Sequence, residues 1–389
     1  MRKIVTFLVG VLTVTQNLAA TTMNKQASPL ELSAKALYSD NINPTNDADN
    51  GASVLALAAN GQFTQHIDGW WWQLDYAAQT EKLQLDSDDV TQTDSYQQGH
   101  IGIVSRWYLG KAWYLDAGAK VQQQDERIGS GLSQLRRDIV IADSRRSDEY
   151  HAELVYGQDV SSRNLTLSYT HKNLDYADNN SYSNLFDINQ QTIAAHFTFA
   201  MSSASRFVLF LEHQQDNYDV ASRVDSRMQR AMVGMDWQPS GTSSLSILVG
   251  QYQRQPQGGD ATHGVTWQMS YQYAPRDGLQ TTITSSKSSV AGENELASDS
   301  LRQQWQINMH YLYSDQWHYG WQGQFSHTDY LEQTASRSIT VRNLSLWMKL
   351  NLRDYQHVVL DIGHRQSDES TGLFDYQQNE VSISWQYEF

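Results

Sequence analysis

Hydrophobic and polar residues alternate along most of this chain with a period of two. In 265–273, Val265, Trp267, Met269, Tyr271 and Tyr273 share one face, and Thr266, Gln268, Ser270 and Gln272 share the other. In 305–313, Trp305, Ile307, Met309, Tyr311 and Tyr313 oppose Gln306, Asn308, His310 and Leu312. Leu344, Leu346, Met348, Leu350 and Leu352 oppose Ser345, Trp347, Lys349 and Asn351. The last nine residues alternate too, with Val381, Ile383, Trp385, Tyr387 and Phe389 on one face. Such runs predict strands, not helices. No helical stripe follows the first 20 residues.

The connections also alternate. Short turns fall at 67–69, 110–112, 160–163, 202–205, 239–242, 275–278, 314–316 and 353–355. Longer polar links fall between them, at 43–50, 178–187, 255–261 and 290–298 among others. Short inner turns and long outer loops mark an outer-membrane barrel. Pro29, Pro44, Pro239, Pro256 and Pro275 fall outside the expected strands, where a missing N–H does no harm. The expected fold is all-β: a transmembrane antiparallel β-barrel of about 18 strands, running from near Leu32 to Phe389. Closure pairs the first strand with the last, so the final strand runs to the chain's end.

A soluble sandwich or propeller would also alternate, with its apolar face as core. The aromatics argue against it. Trp70, Trp71, Trp72, Trp107, Tyr108, Trp113, Tyr114, Trp237, Tyr271, Tyr273, Trp317 and Tyr319 crowd around the short turns. Rings level with one another at strand ends form an interfacial girdle.

Residues 1–20 read as a secretory signal, with a basic "MRK", the apolar "IVTFLVGVLTV" and a small-residue end at Ala20. The apolar core of 11 residues is too short to span a bilayer as a helix. The expected organisation is a signal peptide over 1–20 and a barrel over 21–389 in the bacterial outer membrane. The 389-residue chain has no cysteine, which excludes disulfides and thiolate metal sites. Its formal charge is -15, and -17 without Arg2 and Lys3. That balance argues against nucleic acid as partner. Twelve Trp, 21 Tyr and 10 Phe accompany a mean hydropathy of -0.58, which suits one greasy surface and one wet one.

With the apolar face on lipid, the other face lines a lumen. The inward set is Lys35, Asp75, His100, Arg106, Asp116, Lys120, Glu153, His196, Glu212, Arg230, Asp236, Arg254, Lys349, Asp361 and Arg365. These charges nearly balance, which suits a neutral or mildly charged hydrophilic solute. Val208, Phe210, Leu248 and Trp347 are apolar on this face and would pack beneath an inward loop. The link between the fifth and sixth strands carries Arg136, Arg137, Arg145 and Arg146 around the apolar "IVIA". Folded inward, it would constrict the pore and offer arginines to an acidic solute. Left outside, it is a hairpin with a solvated charge cluster.

No P-loop, G-x-S-x-G or H-E-x-x-H motif occurs, and the 12 His are scattered. No enzyme activity, metal site or cofactor is expected.

The stretch from Ala36 to Phe63 has a strand with Tyr38, Asp40, Asn41 and Ile42, a polar loop and a second alternating strand. It resembles the outer-membrane β-barrel porins encoded with exopolysaccharide and capsule synthesis genes. That resemblance implies a conduit for polysaccharide export, working with periplasmic export proteins. Trp385, Tyr387 and Phe389 resemble the terminal signal read by the barrel assembly machinery. A solute-uptake porin and an adhesive barrel with a plugged lumen remain the alternatives.

Overall fold

The computed structural model describes residues 25–27, 30–42, 51–85, 93–135, 139–157, 162–220, 223–276, 278–291, 297–332, 336–372 and 374–389. The signal expected over 1–20 lies outside them.

A short strand, β1 (Lys25–Ala27), precedes the wall strands β2 (Glu31–Ser39), β3 (Ala52–Ile67), β4 (Trp70–Leu85), β5 (Ser95–Tyr108), β6 (Trp113–Asp125) and β7 (Ser144–Tyr156). They continue as β8 (Arg163–Tyr176), β9 (Ile188–Ala200), β10 (Ser205–Tyr218), β11 (Ser226–Ser240), β12 (Ser243–Pro256) and β13 (Thr262–Arg276). The wall ends with β14 (Leu279–Ala291), β15 (Ala297–Leu312), β16 (Trp317–Glu332), β17 (Ser336–Arg353), β18 (Gln356–Glu369) and β19 (Tyr376–Glu388). Each wall strand pairs antiparallel with its sequence neighbours. β19 pairs with β2, from Glu388 opposite Glu31 to Glu380 opposite Ser39, and this seam closes an 18-stranded antiparallel barrel. β1 pairs with Phe63–Gln65 of β3, extending the wall just before β2 begins.

The pleat sorts the side chains. Leu55, Leu57, Ile103, Leu167, Ile193, Leu211, Val233, Val249, Leu346, Ile362 and Ile383 stay exposed on the outer face. Exposed aliphatics on so many strands belong against hydrocarbon and place the barrel in the bacterial outer membrane. At the short-turn end rings touch one another: Trp113 and Tyr156, on neighbouring strands, have centroids 4.8 Å apart, and Tyr387 and Phe389, along the end of β19, 4.5 Å. Not every ring near a turn belongs to that girdle. Trp71 is paired opposite Arg106, and the Arg106 guanidinium stacks 4.0 Å from the centre of Tyr114. Alternation therefore puts Trp71 and Tyr114 on the inner face, between outward neighbours.

One seam is incomplete. β13 and β14 pair only as far as Trp267 opposite Lys287. Above that level Thr262–Thr266 keep β12 but have no ladder partner on the β14 side among the described residues. The top of the β14–β15 hairpin bends inward over the lumen instead. Its Ser289 and Asp299 bond to inward-facing Arg254, and Thr262 Oγ1 donates to Asp299 Oδ2 at 2.9 Å. Its Val290 and Ala291 line a small cavity with Leu132, Tyr176, Phe186 and Tyr218 from other inner surfaces.

Val208, Leu248 and Phe210, expected beneath a loop, pack instead with Met232 as a cluster on the β10–β12 wall. Gly234 and Gly250 make this possible: a Cβ on either would run into the backbone of the neighbouring strand. Trp347 lies across Gly320 and stacks on His310 at 5.4 Å.

Candidate functional site

The described parts of the connection between β6 and β7, residues 126–135 and 139–143, fold onto the inner wall. Ile128 and Ala142 are buried in a cluster with Leu37, Ile42, Val54, Leu83 and Tyr96. Ile139 packs with Tyr176 at the end of β8 and with Tyr182 and Phe186 from the β8–β9 connection. Asp143 anchors the far end by accepting from Asn180, Tyr182 and Ser183 at 2.8, 2.8 and 2.5 Å. At the near end Arg127 Nη2 meets Glu81 Oε2 at 2.5 Å, and Arg127 Nη1 is 4.0 Å from Glu380. Glu126 is buried against Arg145 at 3.1 Å and accepts the Leu132 N–H at 3.0 Å. Burial pushes its carboxyl above the ordinary glutamate range, and Arg145 opposes that only in part.

Of the two courses the sequence left open, the described part of this segment takes the inward one, and its described arginines do not stand where a constriction would need them. Arg136 and Arg137 lie outside the described residues. Arg145 and Arg146 belong to β7 and not to the loop, because β7 begins at Ser144. Arg145 is occupied by Glu126. Arg146 shares the outward face with exposed Tyr150 and pairs with Asp148 at 2.9 Å, away from the lumen.

Beneath the loop is a cavity of about 630 Å³. Gln79, Glu81, Gln97, Gln98, Gln124 and Asp125 line it from β4–β6, and Arg145 from β7. Asn343, Ser345, Asp361, Arg365, Gln378 and Glu380 line it from β17–β19, and the loop adds Glu126, Arg127, Ser130 and Gly131. A second cavity of about 260 Å³, lined by Asn60, Ala77, His100 and Gln122, shares Gln79 and Gln98 with the first. The two form one polar path along the β3–β6 wall. The amides are ordered in relay: Gln98 donates to Gln79 at 2.8 Å, and Gln79 to Glu81 at 2.7 Å.

The remaining sequence-derived residues fall as follows. His100 Nε2 is 3.1 Å from Asp75, and Lys120 stands opposite Gly102 on the same face. Arg106 donates twice to Asp116, each bond 2.7 Å. Glu153 lies opposite Asp116, Lys35 between Ala56 and Ser384, and Lys349 opposite His318. His196 sits 6.5 Å from Phe210, and Asp236 lies opposite Arg206 and Ser246. Glu212 and Arg230 pair at 2.9 Å, both nearly buried. Asp361 accepts from Ser345 at 3.3 Å, and Arg365 lies opposite Asn343 and Gln378. Arg254 departs from the expectation of an open lumen surface. It is 1% exposed, enclosed by the bent hairpin.

Sequence reasoning missed Gln79, Glu81, Gln98, Gln124, Asn343 and Gln378. Their inward parity was legible, but the neutral amides among them carry no cost that singles them out, and Glu81 lies near the outer end of β4, where a charge constrains the register little. Arg127 and Glu126 were missed because nothing local says that a polar link turns inward. Three lumen-side histidines were also missed as a group. His310 and His318 ring nitrogens are 3.3 Å apart, Asn351 bridges onward to His357, and His357 reaches Glu388 at 3.2 Å. Among the described residues no group of three acidic or His side chains is placed to hold a metal ion.

No protein-family model matches this sequence, and no curated protein matches it. Solved structures do match in fold. The barrel is similar to OpdK of Pseudomonas aeruginosa, in a crystal structure with vanillate, at TM-score 0.50 and 13% identity, covering 93% of this chain and 99% of that one. An improved crystal structure of the same protein, OccK1 (OpdK), gives TM-score 0.50 and 14% identity over the same shares. At such identity the likeness is one of fold: a closed antiparallel barrel of the kind found in outer-membrane proteins.

Proposed function

We propose that the protein is an outer-membrane channel for passive uptake of small hydrophilic solutes. The observation that carries this reading is the polar path beneath the inward loop. Its upper cavity, about 630 Å³, suits a single small molecule dressed by amides and hydroxyls. A secreted polysaccharide needs a wide bore clear along its length. The loop from Glu126 to Asp143 and the bent β14–β15 hairpin both intrude on that bore. The export role implied by the sequence resemblance, with its periplasmic export partners, is therefore the weaker reading. No nucleotide-binding motif would drive transport, so the solute moves down its gradient. The partners in this reading are outer-membrane lipid, the solute, and the assembly machinery that would read Trp385, Tyr387 and Phe389.

The test is swelling of liposomes that contain the purified barrel in isotonic small sugars. Swelling that slows steeply with solute size supports uptake. No swelling with any sugar, together with retention of polymer in the periplasm of a deletion strain, would favour export instead.

A further inference from the structure

We propose that the passage prefers small hydrophilic cations, such as protonated amines, over anions of the same size. This rests on the uptake reading and names the solute class for the same cavity. The upper cavity holds the carboxyl groups of Glu81, Asp125, Glu126, Asp361 and Glu380 against the guanidinium groups of Arg127, Arg145 and Arg365. Two of those cations are already engaged. Arg127 is bound to Glu81, and Arg145 to Glu126. Of the other carboxylates, Asp361 is held by the Ser345 hydroxyl and Asp125 by the Gln97 backbone N–H at 2.8 Å, while Glu380 accepts from Gln378 at 3.0 Å and shares Arg127 with Glu81 from 4.0 Å. Carboxylate charge is thus in excess where the path is confined. A cleft lined by one sign of charge between low-dielectric walls focuses the field on whatever passes. A cation gains there, and an anion of equal size loses.

The approach has the same sign. Asp178, Asp219, Asp225, Asp260 and Asp375 lie in the outer connections. Among the described residues of those connections Arg223 is the only basic one, and Arg127 of the inward loop is bound to Glu81. Lower in the path the charges offset one another, with His100 and Lys120 near Asp75, so the upper cavity sets the preference. Arg365 is the cavity's one guanidinium with no carboxylate in ion-pair range among the described residues; it holds the preference down.

The experiment is the reversal potential of the purified barrel in a planar bilayer under a KCl gradient, with liposome swelling in glucosamine, glucose and glucuronate. The expected result is a several-fold preference for K+ over Cl-, stronger at low salt, and swelling in the order glucosamine, glucose, glucuronate. Asp361→Asn should move the reversal potential toward zero. Arg365→Gln should move it the opposite way, a direction that damage to the fold would not produce. Conductance without charge preference, or a preference for Cl-, overturns this inference alone. Absence of both conductance and swelling overturns the uptake reading and this inference with it.

Discussion

Arg254 Nη1 lies 2.7 Å from Asp216 Oδ2, and both side chains are cut off from solvent. The same guanidinium bonds to Ser226 and Ser289 at 2.7 Å and sits 3.4 Å from Asp299. One cation thereby ties the outer ends of β10, β11, β12, β14 and β15, and holds the bent hairpin over the lumen. Arg254→Met would strand two buried carboxylates, at a cost of about 3–5 kcal/mol. The expected outcome is a lower urea midpoint for unfolding and a larger single-channel conductance, as the hairpin swings free. Unchanged conductance in a folded variant would count against the latch.

Gly320 has no room for a side chain, because the Trp347 ring lies flat over it. Gly320→Ala should push that indole off His310 and destabilise the barrel by about 1–3 kcal/mol, the usual range for overpacking. Adding Trp347→Ala removes the obstacle, so the double variant should be no less stable than Trp347→Ala alone. Heat-modifiability of the barrel on gels reads both.

Glu126 gives the passage a pH dependence. Its carboxyl sits above the ordinary range because burial penalises the charged form, so it takes up a proton at higher pH than an exposed glutamate. That penalty is present above the raised value and is relieved as pH falls through it, so loop anchoring is not lost there. What is lost is the negative charge facing Arg145. Cation preference should weaken as pH falls from neutral. Glu126→Gln should show the weakened preference at neutral pH, and the remaining change with pH should be smaller. Reversal potentials across a pH series decide it.

Ile383 and Ser384 are adjacent on β19 and face opposite media. Ile383 is among the exposed aliphatics, and Ser384 pairs with Lys35 on the inner face. Ile383→Lys puts a charge in lipid and should cost about 2–4 kcal/mol near the midplane. Ser384→Lys should cost far less. Equal losses in urea unfolding would reverse the assigned faces.

Phe389 donates its N–H to the Leu30 carbonyl at 2.9 Å, beside the β19–β2 seam. Removing Phe389 should lower the amount of folded barrel in outer-membrane fractions well beyond any loss of stability in detergent. Normal assembly of the shortened chain would rule out the terminal aromatic as an assembly signal.

The period of two in the sequence determined the strands, their faces and the barrel class. A charge such as Lys349 or Asp361 in hydrocarbon costs too much for the register to slip, so alternation fixes the inside from the outside. Turn composition determined which end carries short links. The expected closure is made by the ladder between β19 and β2.

Only the tertiary structure decided what happens where the pattern is silent. Loops have no period, so nothing local turns the segment after Glu126 inward; that depends on Ile128 finding Leu37 and Val54, and Arg127 finding Glu81, far along the chain. The bend of the β14–β15 hairpin is equally hidden. Ser289 reads as an outward residue by parity. It faces Arg254 because the strand leaves β13 above Lys287, and a pleat keeps its inside only while the wall holds it. For the same reason Arg145, set on a predicted loop by composition, became a wall residue neutralised by Glu126. Charge content is written in the sequence, but the charge a solute meets depends on which ions already have partners.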